Sequence, residues 1–188
     1  MKTENFIGEY EVSNEAVDEI MSYWESNKLS AVKGTVSEVG QELSSNNKYK
    51  KSLELSILPN ELNNFKYTKE LVDCANQYKK EYEYSDKVNS YTITEKTKIQ
   101  YYDKGWGFYK WHFENNGNNH TLFRHLVFAT YLNNVEDGGT HFLHQNYTVK
   151  AKKGKTIIFP AIWTHTHKGE ITKNQEKYII TGWFNFIK

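Results

Sequence analysis

The sequence predicts a mainly β fold with N-terminal helices (α+β), namely a double-stranded β-helix, or jelly-roll, barrel with the helices packed on one sheet. Amphipathic helical periodicity is confined to the first half of the chain, at residues 13–27 and 68–82. After about residue 92, short runs rich in aromatic and β-branched residues alternate with turn signals, as in all-β barrels and sandwiches. The run 122–132 is apolar on both parities, so we expect both of its faces to be covered.

The two predicted helices each have one apolar stripe. In the first, residues 13–27, the apolar positions recur at i, i+3, i+4 and i+7, with Ser13 or Asn14 available as N-cap. In the second, residues 68–82, Thr68 is the candidate cap. Cys74 lies beside the second stripe, and we interpret it as a small buried filler, because no basic residues are arranged to activate its thiol.

The remaining elements are read from turn residues and alternation. A polar loop over residues 38–52 is expected to lead into a short strand at 52–57. The strands predicted after it are 96–102, 108–114, 122–132, 147–151, 156–159, 164–168 and 177–187. The segments predicted to separate them are 103–107, 114–119, 133–139, 152–154 and 169–176. Gly138 and Gly139 are assigned to a turn in this scheme.

Length and composition exclude several classes of protein. The 188 residues fit a single domain, 1–188, in which 1–92 supply helical support and a substrate loop and 93–188 form the jelly-roll core. Twenty-four Lys+Arg against 23 Asp+Glu leave no overall field for nucleic acid or anionic lipid. One cysteine, the absence of a membrane-length apolar run and a start without a signal-peptide core favour a cytoplasmic protein.

A His-x-Glu tripeptide is the first feature that suggests chemistry. On a strand over 108–114, His112 and Glu114 would point to the same face. With a second imidazole from a distant strand they would form a two-His-one-carboxylate triad, which suits Fe(II) and leaves three coordination positions open. By itself the tripeptide is weak, because it occurs often by chance.

Later residues complete the pattern. The segment 159–169 supplies His165 and His167 as candidates for the third ligand. Lys177 opens the strand that follows, and Thr181 shares its parity. A lysine at the mouth of an apolar barrel is costly unless an anion meets it, and the distal carboxylate of 2-oxoglutarate is such an anion. A solvated lysine at a strand end is the alternative.

Four runs in this order, 101–114, 124–142, 149–169 and 177–184, resemble the prolyl-hydroxylase-like branch of the 2-oxoglutarate/Fe(II) oxygenases. They are particularly similar to the short forms of phages and marine bacteria, and the likeness covers nearly all of residues 96–188. The resemblance implies that His112, Glu114 and His167 are the catalytic metal ligands. Glu114 stands where many members have aspartate, and His167 is preferred to His165 because a base follows it ten residues later, as in the family.

The resemblance also implies the cosubstrate pocket. Lys177 and Tyr131 match the groups that hold the far carboxylate of 2-oxoglutarate, Tyr102 matches a phenol lining that pocket, and Thr181 is a further candidate. Without the resemblance, both tyrosines could be ordinary core residues. The implied cofactors are Fe(II), 2-oxoglutarate and O2, with ascorbate as a reductant.

The implied reaction is hydroxylation of a C–H bond with release of succinate and CO2. The expected substrate is a prolyl or other residue of a peptide or protein, bound in a groove formed by the 38–52 and 103–107 segments. The alternatives are a small metabolite or free amino acid, and a non-catalytic metal-binding jelly-roll module. No nucleic-acid or membrane partner is expected, because no basic stripe with interleaved aromatics is present.

Overall fold

The computed structural model describes residues 5–36 and 48–187. The α-helices are α1 (Asn14–Asn27), α2 (Pro59–Leu62) and α3 (Lys66–Glu81). The strands are β1 (Gly8–Glu11), β2 (Val32–Lys33), β3 (Leu53–Ile57), β4 (Tyr91–Thr92), β5 (Thr97–Tyr102), β6 (Arg124–Tyr131), β7 (Val135–Phe142), β8 (Tyr147–Ala151), β9 (Lys155–Pro160), β10 (His167–Gly169) and β11 (Lys177–Phe186). Short 3₁₀ helices cover Lys28–Ser30, Glu83–Asp86 and Trp163–His165.

Helix α1 begins as the sequence predicts. The Ser13 side chain accepts a hydrogen bond of 3.2 Å from the backbone N–H of Ala16, which satisfies one of the free amides of the first turn. The Ser13 backbone N–H and hydroxyl in turn donate to the Glu70 carboxylate of α3, at 2.6 and 2.8 Å. One residue therefore caps α1 and joins it to α3.

Helix α3 begins two residues before the predicted start. Thr68 is not its cap, because its hydroxyl lies inside the helix and donates to the carbonyl of Leu62. The predicted apolar stripe is confirmed, since Leu71, Ala75 and Tyr78 are buried. Cys74 is also buried, and burial raises the pKa of its thiol to about 11, in accord with a filler.

Two antiparallel sheets form the β part of the structure. The large sheet has the order β1-β9-β6-β11-β5-β3-β2, with β4 added at the end of β11. The small sheet has the order β10-β7-β8. Apolar residues of both sheets share one core, in which Phe142 of β7 packs edge-on against Phe159 of β9. This is the predicted double-stranded β-helix.

The large sheet is buried on both faces. Leu126 and Phe128 of β6 belong to the core that contains α1 and α3. Val127, Ala129 and Tyr131 of the same strand belong to the core between the sheets. The prediction of a strand covered on both sides is thus confirmed, as is the placement of the helices on one sheet. The strand begins at Arg124, two residues later than expected.

The predicted strand 108–114 is wrong. This segment makes only isolated bridges, Lys50 with Phe108 and His112 with His167. Its amides are divided between two neighbours, because Tyr109 N–H donates to the carbonyl of Tyr49 while His112 N–H donates to that of His167. With partners on two different segments, no continuous ladder can form.

The predicted break at 133–139 is also wrong, because β7 begins at Val135. A Cβ atom on Gly139 would lie 2.1 Å from the carbonyl oxygen of Val149 on β8, so the glycine permits a close approach of two strands. The register shifts between Val135 and Thr140, and Asp137 has a φ of 52°. The glycines mark a bulge within a strand, whereas the sequence suggests a turn.

Residues 37–47, which hold most of the predicted 38–52 loop, lie outside the described residues. Within the described residues, no helix has the length and apolar character needed to span a membrane.

Candidate active site

A cavity of about 790 Å³ opens between the two sheets. It is bounded by inward-facing side chains of β5 and β11, by the start of β10, and by the irregular segment that precedes β6. Six of the site residues predicted from the sequence line this cavity, namely His112, Glu114, His167, Lys177, Tyr102 and Thr181.

Three potential metal ligands converge at one end of this cavity. One ligand atom each from His112, Glu114 and His167 lies within 4.8 Å of the other two. Glu114 Oε1 is 3.4 Å from His112 Nε2 and 3.8 Å from His167 Nε2. Reciprocal backbone hydrogen bonds of 3.0 and 2.8 Å between His112 and His167 hold the irregular segment against β10. The sequence placed the first two residues on a strand, and the structure brings them together without one.

Both imidazoles have the tautomer that metal binding needs. His112 Nδ1 lies 3.0 Å from the carbonyl oxygen of Lys110, and His167 Nδ1 lies 2.9 Å from that of His165. A carbonyl oxygen only accepts, so each Nδ1 carries the hydrogen and each Nε2 keeps its lone pair. Burial, together with the nearby His112, lowers the pKa of His167 to about 3, which keeps this ring neutral.

Glu114 is a carboxylate whose two oxygens have different partners. Burial alone would raise its pKa, but the neighbouring His112, Arg124 and His167 outweigh burial and lower it. Oε2 accepts a 3.0 Å hydrogen bond from the Trp183 indole and a 3.4 Å contact from the Arg124 guanidinium. Arg124 stacks 3.6 Å above the Trp183 ring and pairs with Glu95 at 2.6 Å. Oε1 is therefore left facing the two imidazoles.

We expect Trp183→Phe to weaken metal binding about ten- to hundredfold, which is the usual effect of losing a hydrogen bond that orients a ligand. Phenylalanine keeps the surface beneath Arg124 but removes the indole N–H that fixes Glu114. The measurement is a Co(II) titration followed by visible absorption. Trp163→Phe is the control, because Trp163 is 62% exposed. An unchanged Co(II) affinity in Trp183→Phe would show that Glu114 needs no such support.

The side chain of His165 is not part of the triad, although its carbonyl oxygen accepts from His167 Nδ1. This residue belongs to a 3₁₀ helix, so the predicted strand 164–168 is wrong at this position, and β10 begins only at His167. Its Nε2 donates to the carbonyl of Asn5 at 2.9 Å, and its Nδ1 accepts from the Thr164 hydroxyl at 3.0 Å. Both ring nitrogens are engaged, and the side chain does not line the cavity.

Lys177 lies at the start of β11 and is buried, with an exposed fraction of 4%. Its ammonium donates to the carbonyl oxygens of Glu170 and Gly138, at 3.0 and 3.2 Å, and lies 5.1 Å from the centre of the Tyr102 ring. Burial lowers its pKa to about 8, against the opposing charge of Glu170. An ammonium has three N–H groups, so one is left for an anion in the cavity.

The hydroxyl groups of the wall form a short chain. The Tyr102 hydroxyl donates to Gln100 Oε1 at 2.6 Å, and Gln100 Nε2 donates to Thr181 Oγ1 at 3.2 Å. Sequence reasoning missed Gln100, although it shares the parity of Tyr102 on β5. Tyr131 is fully buried and does not line the cavity; its hydroxyl contacts that of Thr140 at 2.7 Å, and Thr140 does line it.

The cavity lining contains part of the expected groove, since Lys50 of the predicted 38–52 segment lines it and the loop 103–107 does not. The lining also includes three asparagines of the segment after Glu114, namely Asn116, Asn118 and Asn119. Asn116 Oδ1 accepts from the Thr121 hydroxyl at 2.6 Å, which closes this segment into a compact loop.

Comparison with known proteins gives one family and several structures. The model of the 2OG-Fe(II) oxygenase superfamily matches residues 97–185, which include every residue of the cavity wall discussed above. Among curated proteins, no relative matches this sequence.

Three solved structures illustrate the structural similarity. A viral collagen prolyl hydroxylase from Paramecium Bursaria Chlorella virus-1, in its 2OG complex, is 18% identical with a TM-score of 0.66 and 97% of each chain covered. A Pseudomonas putida prolyl-4-hydroxylase is 12% identical, TM-score 0.68, covering 97% of this chain and 94% of that one. A prolyl hydroxylase from Trichoplax adhaerens, in complex with a hypoxia inducible factor oxygen degradation domain peptide fragment, is 18% identical, TM-score 0.70, covering 96% and 84%. At these identities the similarity shows the fold.

Proposed function

We propose that this chain belongs to the 2OG-Fe(II) oxygenase superfamily, whose model matches residues 97–185, and that it hydroxylates a prolyl or other residue of a peptide or protein. In this proposal His112, Glu114 and His167 hold Fe(II). Lys177 binds the distal carboxylate of 2-oxoglutarate. The products beside the alcohol are succinate and CO2.

One observation carries the proposal. Two Nε2 lone pairs and one carboxylate oxygen point to a common position at the end of a cavity, and each is fixed there by a hydrogen bond to its other polar atom. Two imidazoles and one carboxylate are the donors that Fe(II) takes in the facial triad of oxygenases. Bound Fe(II), with 2-oxoglutarate and O2, supplies the oxidation of a C–H bond.

The chain's own residues bind and orient the cosubstrate. Lys177 presents a buried ammonium whose remaining N–H suits a carboxylate, and Tyr102 covers it on one side. We assign Thr181 to the same wall. Tyr131 acts indirectly, because its hydroxyl positions the hydroxyl of Thr140, and Thr140 lines the cavity.

The polar lining of the cavity supports a peptide substrate. The carboxamides of Asn118 and Asn119 offer donors and acceptors that can pair with peptide C=O and N–H, whereas Asn116 Oδ1 already accepts from Thr121. The Trichoplax adhaerens relative of this fold was solved with a peptide fragment bound.

The test is oxygen-dependent conversion of 2-oxoglutarate to succinate by the Fe(II)-loaded protein, with and without prolyl peptides. We expect peptide to stimulate succinate formation and to gain one oxygen atom per succinate released, measured by mass spectrometry. An anaerobic sample is the control. Stimulation by free amino acids but not by peptides would establish the small-molecule alternative. Metal binding without any turnover would leave a non-catalytic metal-binding module.

A further inference from the structure

A second group of charges lies on the cavity wall, apart from the triad and from Lys177. It consists of Lys50, Glu54 and Lys98, named here the Lys50–Glu54–Lys98 cluster. The Lys50 ammonium pairs with Glu54 Oε1, and the Lys98 ammonium pairs with Glu54 Oε2 at 2.9 Å. Lys50 and Glu54 are buried, whereas the Lys98 side chain is 25% exposed. Two cations thus share one carboxylate.

The arrangement directs the excess positive charge into the cavity. Both lysines line the cavity, whereas Glu54 does not, and the Ser52 hydroxyl lies 3.3 Å from Glu54 Oε1. Burial lowers the pKa of Lys50, although Glu54 opposes this effect. A buried cation without a full counter-charge is unfavourable, and an anion entering the cavity would remove that cost.

The position of the cluster places it near the metal end of the cavity and away from Lys177. The Lys50 ammonium is 5.1 Å from the centre of the Phe108 ring, which stacks on the His112 imidazole at 3.6 Å. A single aromatic ring therefore separates this cation from a proposed iron ligand. On the sheet, Lys98 pairs with Thr181, whereas Lys177 pairs with Tyr102 at the opposite end of the same ladder.

From this geometry we infer that the Lys50–Glu54–Lys98 cluster is a subsite for a carboxylate of the substrate. The inference rests on the proposed function, because it names the substrate as a peptide with an acidic group within one or two residues of the hydroxylated position. Adjacent residues of an extended chain are about 3.3 Å apart. A carboxylate one or two residues from the hydroxylated position can therefore reach past the single ring that separates Lys50 from His112. The carboxylate can be an Asp or Glu side chain or the end of the peptide chain.

The experiment uses three acetylated peptides that contain one proline. The first has Glu after the proline and an amidated end, the second has Gln and an amidated end, and the third has Gln and a free carboxylate. Their Kd values are measured with the protein loaded with Mn(II) and 2-oxoglutarate. We expect the Glu peptide to bind about tenfold more tightly than the amidated Gln peptide, as one charge-assisted contact would give. The third peptide distinguishes a chain end from a side chain as the source of the carboxylate.

Lys98→Met is the decisive variant, because it removes the excess charge and leaves Lys50 paired with Glu54. We expect it to bring the Glu-to-Gln affinity ratio close to one. Lys69→Met is the matched control, since Lys69 is exposed on α3 and its loss changes the net charge equally. In that variant the ratio should stay near tenfold.

Several results would overturn the subsite. These are equal Kd values for all three peptides, no peptide binding, a ratio that persists in Lys98→Met, or a loss of 2-oxoglutarate affinity in Lys98→Met with the ratio intact. The proposed function is tested separately with Fe(II) and O2. Selective binding of a carboxylate peptide that gains no oxygen would support the subsite and reject the hydroxylation.

Discussion

His167→Ala is expected to abolish stoichiometric metal binding and the peptide-independent conversion of 2-oxoglutarate, whereas His165→Ala should retain a measurable part of both. The reason is the different use of the ring nitrogens. His167 has Nε2 free and 3.8 Å from the Glu114 carboxylate. In His165 both nitrogens are hydrogen bonded, to Asn5 and Thr164, so its loss affects packing and leaves the triad complete.

The measurement is metal content after loading with Fe(II) under anaerobic conditions, together with succinate formation. Circular dichroism checks that each variant folds, because His165 is buried and its replacement removes two hydrogen bonds. The opposite ranking of the two variants would show that the wrong histidine was chosen. One metal per chain surviving in the His112→Ala, His167→Ala double variant would reject the triad itself.

Lys177→Met should lower 2-oxoglutarate affinity by about one to two orders of magnitude while the metal stoichiometry stays at one. A hydrogen bond to a charged group contributes about 1.5–3 kcal/mol, and each factor of ten corresponds to about 1.4 kcal/mol. Methionine keeps the length and apolar stem of the side chain. Lys177→Arg should be tolerated better, because a guanidinium can pair with the same carboxylate.

The pKa of Lys177 implies that the affinity for 2-oxoglutarate depends on pH. This pKa is about 8 in the absence of cosubstrate, so the ammonium that binds a carboxylate is present below pH 8 and is lost above it. Affinity should therefore be constant below about pH 7 and fall by up to about tenfold per unit above pH 8. Lys177→Arg should lack this fall, since a guanidinium stays charged.

The measurement for both effects is titration of 2-oxoglutarate into anaerobic Fe(II) protein, followed by the metal-to-ligand charge-transfer absorption. Unchanged affinity in Lys177→Met would remove the cosubstrate assignment and leave only a metal-binding jelly roll. A pH profile that is the same in the wild-type protein and in Lys177→Arg would mean that another group titrates.

The sequence predicts the long elements of this fold because their patterns are strong. The stripe of α1 and the two apolar parities of β6 each repeat over several turns or pairs, so one atypical residue does not obscure them. The prediction fails where tertiary contacts determine the backbone conformation. The 108–114 segment alternates like a strand, but its amides bond to two separate neighbours. Gly139 indicates a turn in isolation, whereas in the structure it allows β7 and β8 to approach closely.

In the candidate site, too, local patterns could be predicted and contacts between distant residues could not. The sequence selects His112, Glu114, His167 and Lys177 only together with the family resemblance, and the structure brings the first three together in space. The hydrogen bond from Trp183 to Glu114 could not be predicted, since it joins residues from distant parts of the chain. Tyr131 was expected to face the cosubstrate directly, whereas in the structure it does not line the cavity and its hydroxyl contacts that of Thr140, which does.

The backbone bridge between His112 and His167 has a consequence for the thermodynamics of metal capture. These residues are far apart in sequence, and bringing them together costs conformational entropy that grows with the length of the loop they close. Folding of the β-helix has already closed that loop through two main-chain hydrogen bonds that do not involve the imidazoles. An incoming cation therefore meets a preorganised chelate, and most of its binding free energy can appear as affinity because little is needed to order the chain.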